Sequence, residues 1–235
     1  MGLDVYVGSL TRYYSGAWET VVQQAARQAG MPVRLERQQP LADTRDPEVI
    51  RAAVLRWRDA MSSALGKHLN GPLDWDESES APYFTDKPAW DCYSALLLWA
   101  AYEENPDLRC PEEAVEDWAK DPAFQRSTAQ SFRTRYPHLL HNTELWLPCA
   151  FPFTFVTQDA GGNKVGMGSS IALLAELRAL NDRTWRSNSD LLQRWRTQGT
   201  DHGAPLETGA RFAFSIMLAL AEHSVQHRIP MKLDY

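Results

Sequence analysis

Apolar positions change their spacing several times along the chain, and each change marks an expected element. Leu3, Val5 and Val7 alternate with Asp4 and Tyr6 as far as Gly8-Ser9, the period of two that a half-buried strand requires. After a break at Tyr13-Tyr14-Ser15-Gly16, Trp18, Val21, Val22, Ala25 and Ala29 recur at helical spacing, which predicts a helix over 17–29 stopped by Gly30 and Pro32. Residues 33–37 read as a short second strand. Asp46-Pro47-Glu48 supplies a capping side chain, a proline suited to the first turn and an acid at the positive end of the dipole. Ile50, Ala53, Val54, Trp57, Met61 and Leu65 then form one stripe ending at Gly66.

Residues 70–87, with Pro72, Pro82 and the acids Asp74, Asp76, Glu77 and Glu79, read as a long surface loop. By contrast, residues 89–102 are apolar almost all round, as in a central helix contacted on several sides. Pro111 with Glu112 and Glu113 predicts a shorter helix through Trp118, and Pro122 another towards Arg135. Leu145-Trp146-Leu147 and Phe153-Thr154-Phe155-Val156 precede Asp159-Ala160-Gly161-Gly162-Asn163, a hairpin signal whose return strand turns Val165 and Met167 to the core.

Ser169 or Ser170 can cap a helix bearing Ile171, Leu174, Leu177 and Leu180, followed by another around 191–195. The last long helix spans about 207–227 and stops before Pro230, after which Met231, Leu233 and Tyr235 alternate with Lys232 and Asp234 as a strand. The expected architecture is α+β: one domain over 1–235, with seven or eight helices covering a small, mostly antiparallel sheet.

The opening Met1-Gly2-Leu3-Asp4-Val5-Tyr6-Val7-Gly8 resembles that of an uncharacterised group of bacterial proteins. The resemblance continues at Glu144-Leu145-Trp146-Leu147-Pro148, from Gly168-Ser169-Ser170 to Thr184-Trp185, and over Pro230 to Tyr235. These motifs look structural, and the resemblance implies no activity or catalytic residue.

A formal charge of −6 repels nucleic-acid phosphates and favours cations or basic proteins. The longest apolar run, 95–101, is far short of the roughly 20 residues a bilayer demands, and the opening lacks an export signal. Cys92, Cys110 and Cys149 suit neither a disulfide framework nor a zinc knuckle. The expectation is a cytoplasmic protein with reduced thiols and no membrane or nucleic-acid partner.

Four sets of side chains could carry chemistry. His223 and His227, four apart, can share a divalent metal on one helical face, although the stripe of Phe212, Ile216 and Leu220 makes them equally a pair of core histidines. His138 and His141 form a second, less regular pair. Arg12, Tyr13, Tyr14 and Trp18 could line a pocket at the end of the first strand, or simply pack. Asp74, Asp76, Glu77 and Glu79 lack the spacing of a calcium loop; they are a solvated run or a partner-binding surface.

Gly166-Met167-Gly168-Ser169-Ser170 could present free N–H groups to an anion, but lacks both P-loop and dinucleotide spacing and suits a capped turn better. No residue is assigned a catalytic role. The reading that follows is a cofactor-free binding protein whose acidic surface engages a basic protein, a toxin-neutralising immunity protein being its specific form. The alternative is an enzyme with the aromatic pocket and a metal at His223/His227.

Overall fold

The computed structural model describes residues 3–31, 46–69, 71–201 and 203–235. In chain order the elements are β1 (Asp4–Val7), α1 (Leu10–Ser15), α2 (Val21–Gln28), α3 (Pro47–Leu65), β2 (Phe84–Asp86), α4 (Trp90–Glu104), α5 (Pro122–Thr128) and α6 (Pro137–Leu140). They continue as β3 (Leu145–Leu147), β4 (Phe155–Gln158), β5 (Lys164–Ser169), α7 (Ser170–Arg183), α8 (Ser189–Gln198), α9 (Leu206–His227) and β6 (Met231–Asp234). The strands form one sheet in the order β2-β1-β6-β3-β5-β4. Among the described strands only the β3–β5 pair is parallel, so the α+β architecture with a mostly antiparallel sheet holds.

Strand alternation sends side chains to two differently covered faces. Leu3, Val5, Val7, Trp146, Met231 and Leu233 meet α4, α7 and α9 in the larger core. On the other face Leu145, Leu147, Val165 and Met167 pack with Leu10 and Tyr14 of α1, Val54 and Met61 of α3, and Leu73 and Trp75. Helix α4 is the central helix its composition predicts: every residue from Cys92 to Leu98 is buried, and α9 packs along it.

Local signals placed most boundaries. Asp46 caps α3 by accepting the Glu48 N–H at 3.0 Å, and Ser169 caps α7 by accepting that of Ala172 at 3.1 Å. The helix expected over 17–29 begins only at Val21, because Thr20 and Gln23 form a reciprocal capping box there. The expected break at Tyr13-Tyr14 is itself helical: Ser9 caps α1 and Gly16 ends it at φ 72°.

No helix forms over 111–118. Val115 and Trp118 are its only sizeable apolar residues, and the Glu112 carbonyl accepts the Leu206 N–H at 3.0 Å, a bond that ties the segment to the start of α9. The segment instead ends in a short 3-10 turn, Trp118–Lys120. The helix beginning at Pro122 stops at Thr128. Strand β2 lies inside the expected loop, β4 sits two residues later than predicted, and the strand expected over 33–37 lies outside the described residues. None of the described helices is long and apolar enough to cross a membrane.

Candidate functional site

The four acids of the 74–79 stretch do not share a surface. Glu77 is buried, and its carboxylate accepts the Leu10 N–H at 2.8 Å, the Thr11 N–H at 2.7 Å and the Trp75 indole N–H at 2.5 Å. It holds the first turn of α1, whose free N–H groups need an acceptor, against the far end of the second core. Such a carboxylate is not available to a partner. Asp74 lies between Arg58 at 3.6 Å and Arg228 at 3.5 Å, while Asp76 is bonded to the Ser78 N–H at 2.8 Å. Asp74, Asp76 and Glu79 remain exposed, Asp74 with its charge shared by the two arginines.

Arg12, Tyr13, Tyr14 and Trp18 gather on the same sheet face without sharing one role. The Arg12 guanidinium is committed to the Ala81 and Glu79 carbonyls, each at 2.5 Å, and lies 5.1 Å from the Tyr83 ring centre. Trp18 packs on Tyr6 and Tyr13 with ring centres 4.9 and 5.8 Å away. Beneath these rings runs a buried ion pair: Lys232 Nζ is 3.3 Å from Asp159 Oδ2 and 5.4 Å from the Tyr13 ring centre. Tyr13 donates to Asp234 Oδ1 at 2.6 Å. Burial, then the adjacent Asp159 charge, raises the Tyr14 phenol above its ordinary value. Asp159 also accepts the Gly161 and Asn163 N–H groups, so the pair pins the β4–β5 hairpin to β6.

His223 and His227 are half-buried rather than enclosed, although Ile216 and Leu220 of the same stripe are buried. Their rings cover Phe84 of the edge strand β2, His223 stacking at 3.9 Å with the planes 3° apart and His227 tilted at 5.2 Å. Burial first, then the neighbouring His227, lowers the His223 pKa. Two imidazoles supply half of a tetrahedral zinc shell, and among the described residues no group of three or more His, Cys, Asp or Glu converges as a metal site.

His138 is fully buried and His141 partly so; they diverge, with His138 Nδ1 accepting the Ser169 N–H at 2.9 Å and His141 Nδ1 lying 3.2 Å from Thr154 Oγ1. This also explains the glycines before Ser169. A Cβ on Gly168 would stand 2.8 Å from His138 Nδ1, and one on Gly166 would stand 2.0 Å from the Asn142 carbonyl oxygen. The Gly166–Ser170 segment therefore spends an N–H group on the protein itself. Cys149 is no activated thiol, since burial raises its pKa despite the nearby Arg228 and Arg58.

A further concave surface lies elsewhere. A groove of about 530 Å³ opens between the first turns of α4 and the irregular 111–118 segment, with Leu98 and Val115 among its apolar walls. Trp90 and Trp118 contribute indoles and Glu113 and Glu116 exposed carboxylates, and no Lys or Arg is among the described lining residues. Trp90 is 36% exposed, and Tyr235, 61% exposed, meets it edge-on at 5.0 Å just beside the groove.

A charge count along the chain could have found this place. Residues 103–121 hold eight acids and two bases, so this one stretch carries a −6 equal to that of the whole chain. Several of these charges are already engaged. Glu104 accepts the Arg135 N–H and the Thr134 hydroxyl, and Asp121 caps α5 and accepts the Tyr102 hydroxyl. Glu103 pairs with Arg135 and Arg183, Asp107 with Arg126, Glu112 with Arg109, and Asp117 with Lys120. Among the described residues, Glu113 and Glu116 have no such ion pair, and both line the groove. Compared with known proteins, the chain has no match among family models, curated proteins or solved structures.

Proposed function

We propose that this protein binds a basic protein partner, and that the acidic groove between α4 and the 111–118 segment is its docking surface. The observation that supports the reading is the coincidence of two features: the acids Glu113 and Glu116, which have no ion pair among the described residues, and the concave, aromatic-walled surface that they line. Charge of one sign gathered at a cleft focuses its field and raises the encounter rate with an oppositely charged partner. The exposed Trp90 indole and the half-buried Trp118 then supply contact area at small entropic cost. In its most specific form the reading is that of an immunity protein, which would neutralise a toxin by covering a basic surface.

The groove replaces the 74–79 stretch as the centre of this surface, with Asp76 and Glu79 left as outlying charges. Capture from the native host followed by association kinetics tests the assignment. Changing Glu112, Glu113, Glu116 and Asp117 to their amides should slow association about tenfold at low salt and alter dissociation less. The difference should shrink as salt is raised, because exposed charges are screened over a Debye length of about 8 Å at physiological ionic strength. A partner whose on-rate ignores both salt and these substitutions would sink the proposal.

A further inference from the structure

From the arrangement of indoles and carboxylates we infer that the groove anchors an arginine side chain of an extended partner segment. The inference rests on the groove being the docking surface, and it names the group that surface recognises. The chain itself shows how its tryptophans and acids are completed. Arg58 lies 5.4 Å from the Trp75 ring centre and 3.6 Å from Asp74. Arg211 lies 5.3 Å from the Trp195 ring centre and 2.6 Å from Glu207. In both cases one guanidinium covers an indole and pairs with a neighbouring carboxylate.

The groove is lined by the same two kinds of group, the indoles of Trp90 and Trp118 and the carboxylates of Glu113 and Glu116, but no arginine is among its described lining residues. Charge complementarity calls for a cation, and the geometry of the site selects which one. A guanidinium is planar and weakly hydrated, so it can lie on an indole while its N–H fork reaches carboxylates at the rim. A lysine ammonium is compact and strongly hydrated, and it offers no flat face. Ala114 and Val115 provide apolar surface for the methylene stem that carries the charged head.

Blocked Gly-Arg-Gly, Gly-Lys-Gly and Gly-citrulline-Gly peptides test this when titrated into the full chain, with the indole N–H resonances of Trp90 and Trp118 as the readout. The arginine peptide should shift both resonances saturably, the lysine peptide should bind several-fold more weakly, and the neutral citrulline isostere should leave them unmoved. Glu113→Gln and Glu116→Gln should each weaken the arginine peptide by roughly threefold to fivefold, as expected for exposed ion pairs. Both positions are exposed, so these variants keep the fold.

An equal response to citrulline would overturn the inference, because the groove would then read peptide bulk and not charge. No response from either indole, while the tetra-amide variant still slows association with the captured partner, would overturn the arginine anchor and leave the acidic docking surface standing. No response from the indoles and no effect of the tetra-amide variant would remove both.

Discussion

Two acidic stretches with four acids in six residues each, 74–79 and 112–117, meet different fates. In the first, Glu77 turns inward and its three hydrogen bonds organise α1, while Asp74 is held by two arginines. In the second, all four acids remain exposed, and Glu113 and Glu116 face a groove. Composition does not separate the two cases. What separates them is whether the fold brings unsatisfied N–H groups within reach: the start of α1 does so for Glu77, whereas among the described residues nothing comparable meets Glu113.

The comparison can be broken most directly at Glu77. Glu77→Ala leaves the Leu10 and Thr11 N–H groups and the Trp75 indole without their acceptor in a buried place, and should cost about 3 kcal/mol or more, since each buried donor left unsatisfied costs about 1–3 kcal/mol. Urea unfolding measures this. A loss below about 1 kcal/mol, the scale of a single ordinary hydrogen bond, would show that Glu77 is only another surface acid.

A pH series sharpens the contrast at another inward carboxylate. Glu176 is buried, and although it accepts the His138 and Leu139 N–H groups at 3.1 and 3.0 Å, desolvation pushes its pKa up to about 8. The folded state therefore retains a proton that an unfolded glutamate releases near pH 4.5. Stability from this group is full at acid pH and is lost as pH rises from about 4.5 through about 8. His138 works in the opposite sense. Burial lowers its pKa from 6.5 to about 4, so its contribution is full above about 6.5 and is lost as pH falls towards 4. Unfolding free energies at pH 5 and pH 9 should show a smaller alkaline loss for Glu176→Gln than for the parent. Equal losses would mean that Glu176 is ionised throughout.

The smallest effect belongs to the outward set. Glu113→Gln with Glu116→Gln should change stability by less than about 0.5 kcal/mol, as surface substitutions do. Thermal melting that fell by several degrees would place these acids among the structural carboxylates and end the distinction.

Reading the sequence alone recovered the elements whose causes are local. The caps of α3 and α7, the continuous apolar surface of α4 and the alternation in β1 and β6 lie within a few residues of the structure they specify. It missed what depends on distant partners. β2 has three residues, too few to establish a period, and it is recognisable only by its pairing with β1. Glu77 finds its acceptor role 67 residues away, at Leu10. The groove joins Trp90 to Glu113 across the whole of α4, so periodicity could not assemble it, although the density of acids along 103–121 was in plain view.

The strand order carries a consequence for biosynthesis. β6 joins β2-β1 on one side to β3-β5-β4 on the other, yet it is translated after all of them. Until Met231 to Asp234 emerge, a nascent chain can hold only two partial sheets, with the facing edges of β1 and β3 unpaired. Exposed edges of that kind are templates for pairing with other chains. The hydrogen-bonded seam at the centre of the sheet is thus a late-closing clasp, and the interval before it closes is when this protein most needs shielding from its neighbours.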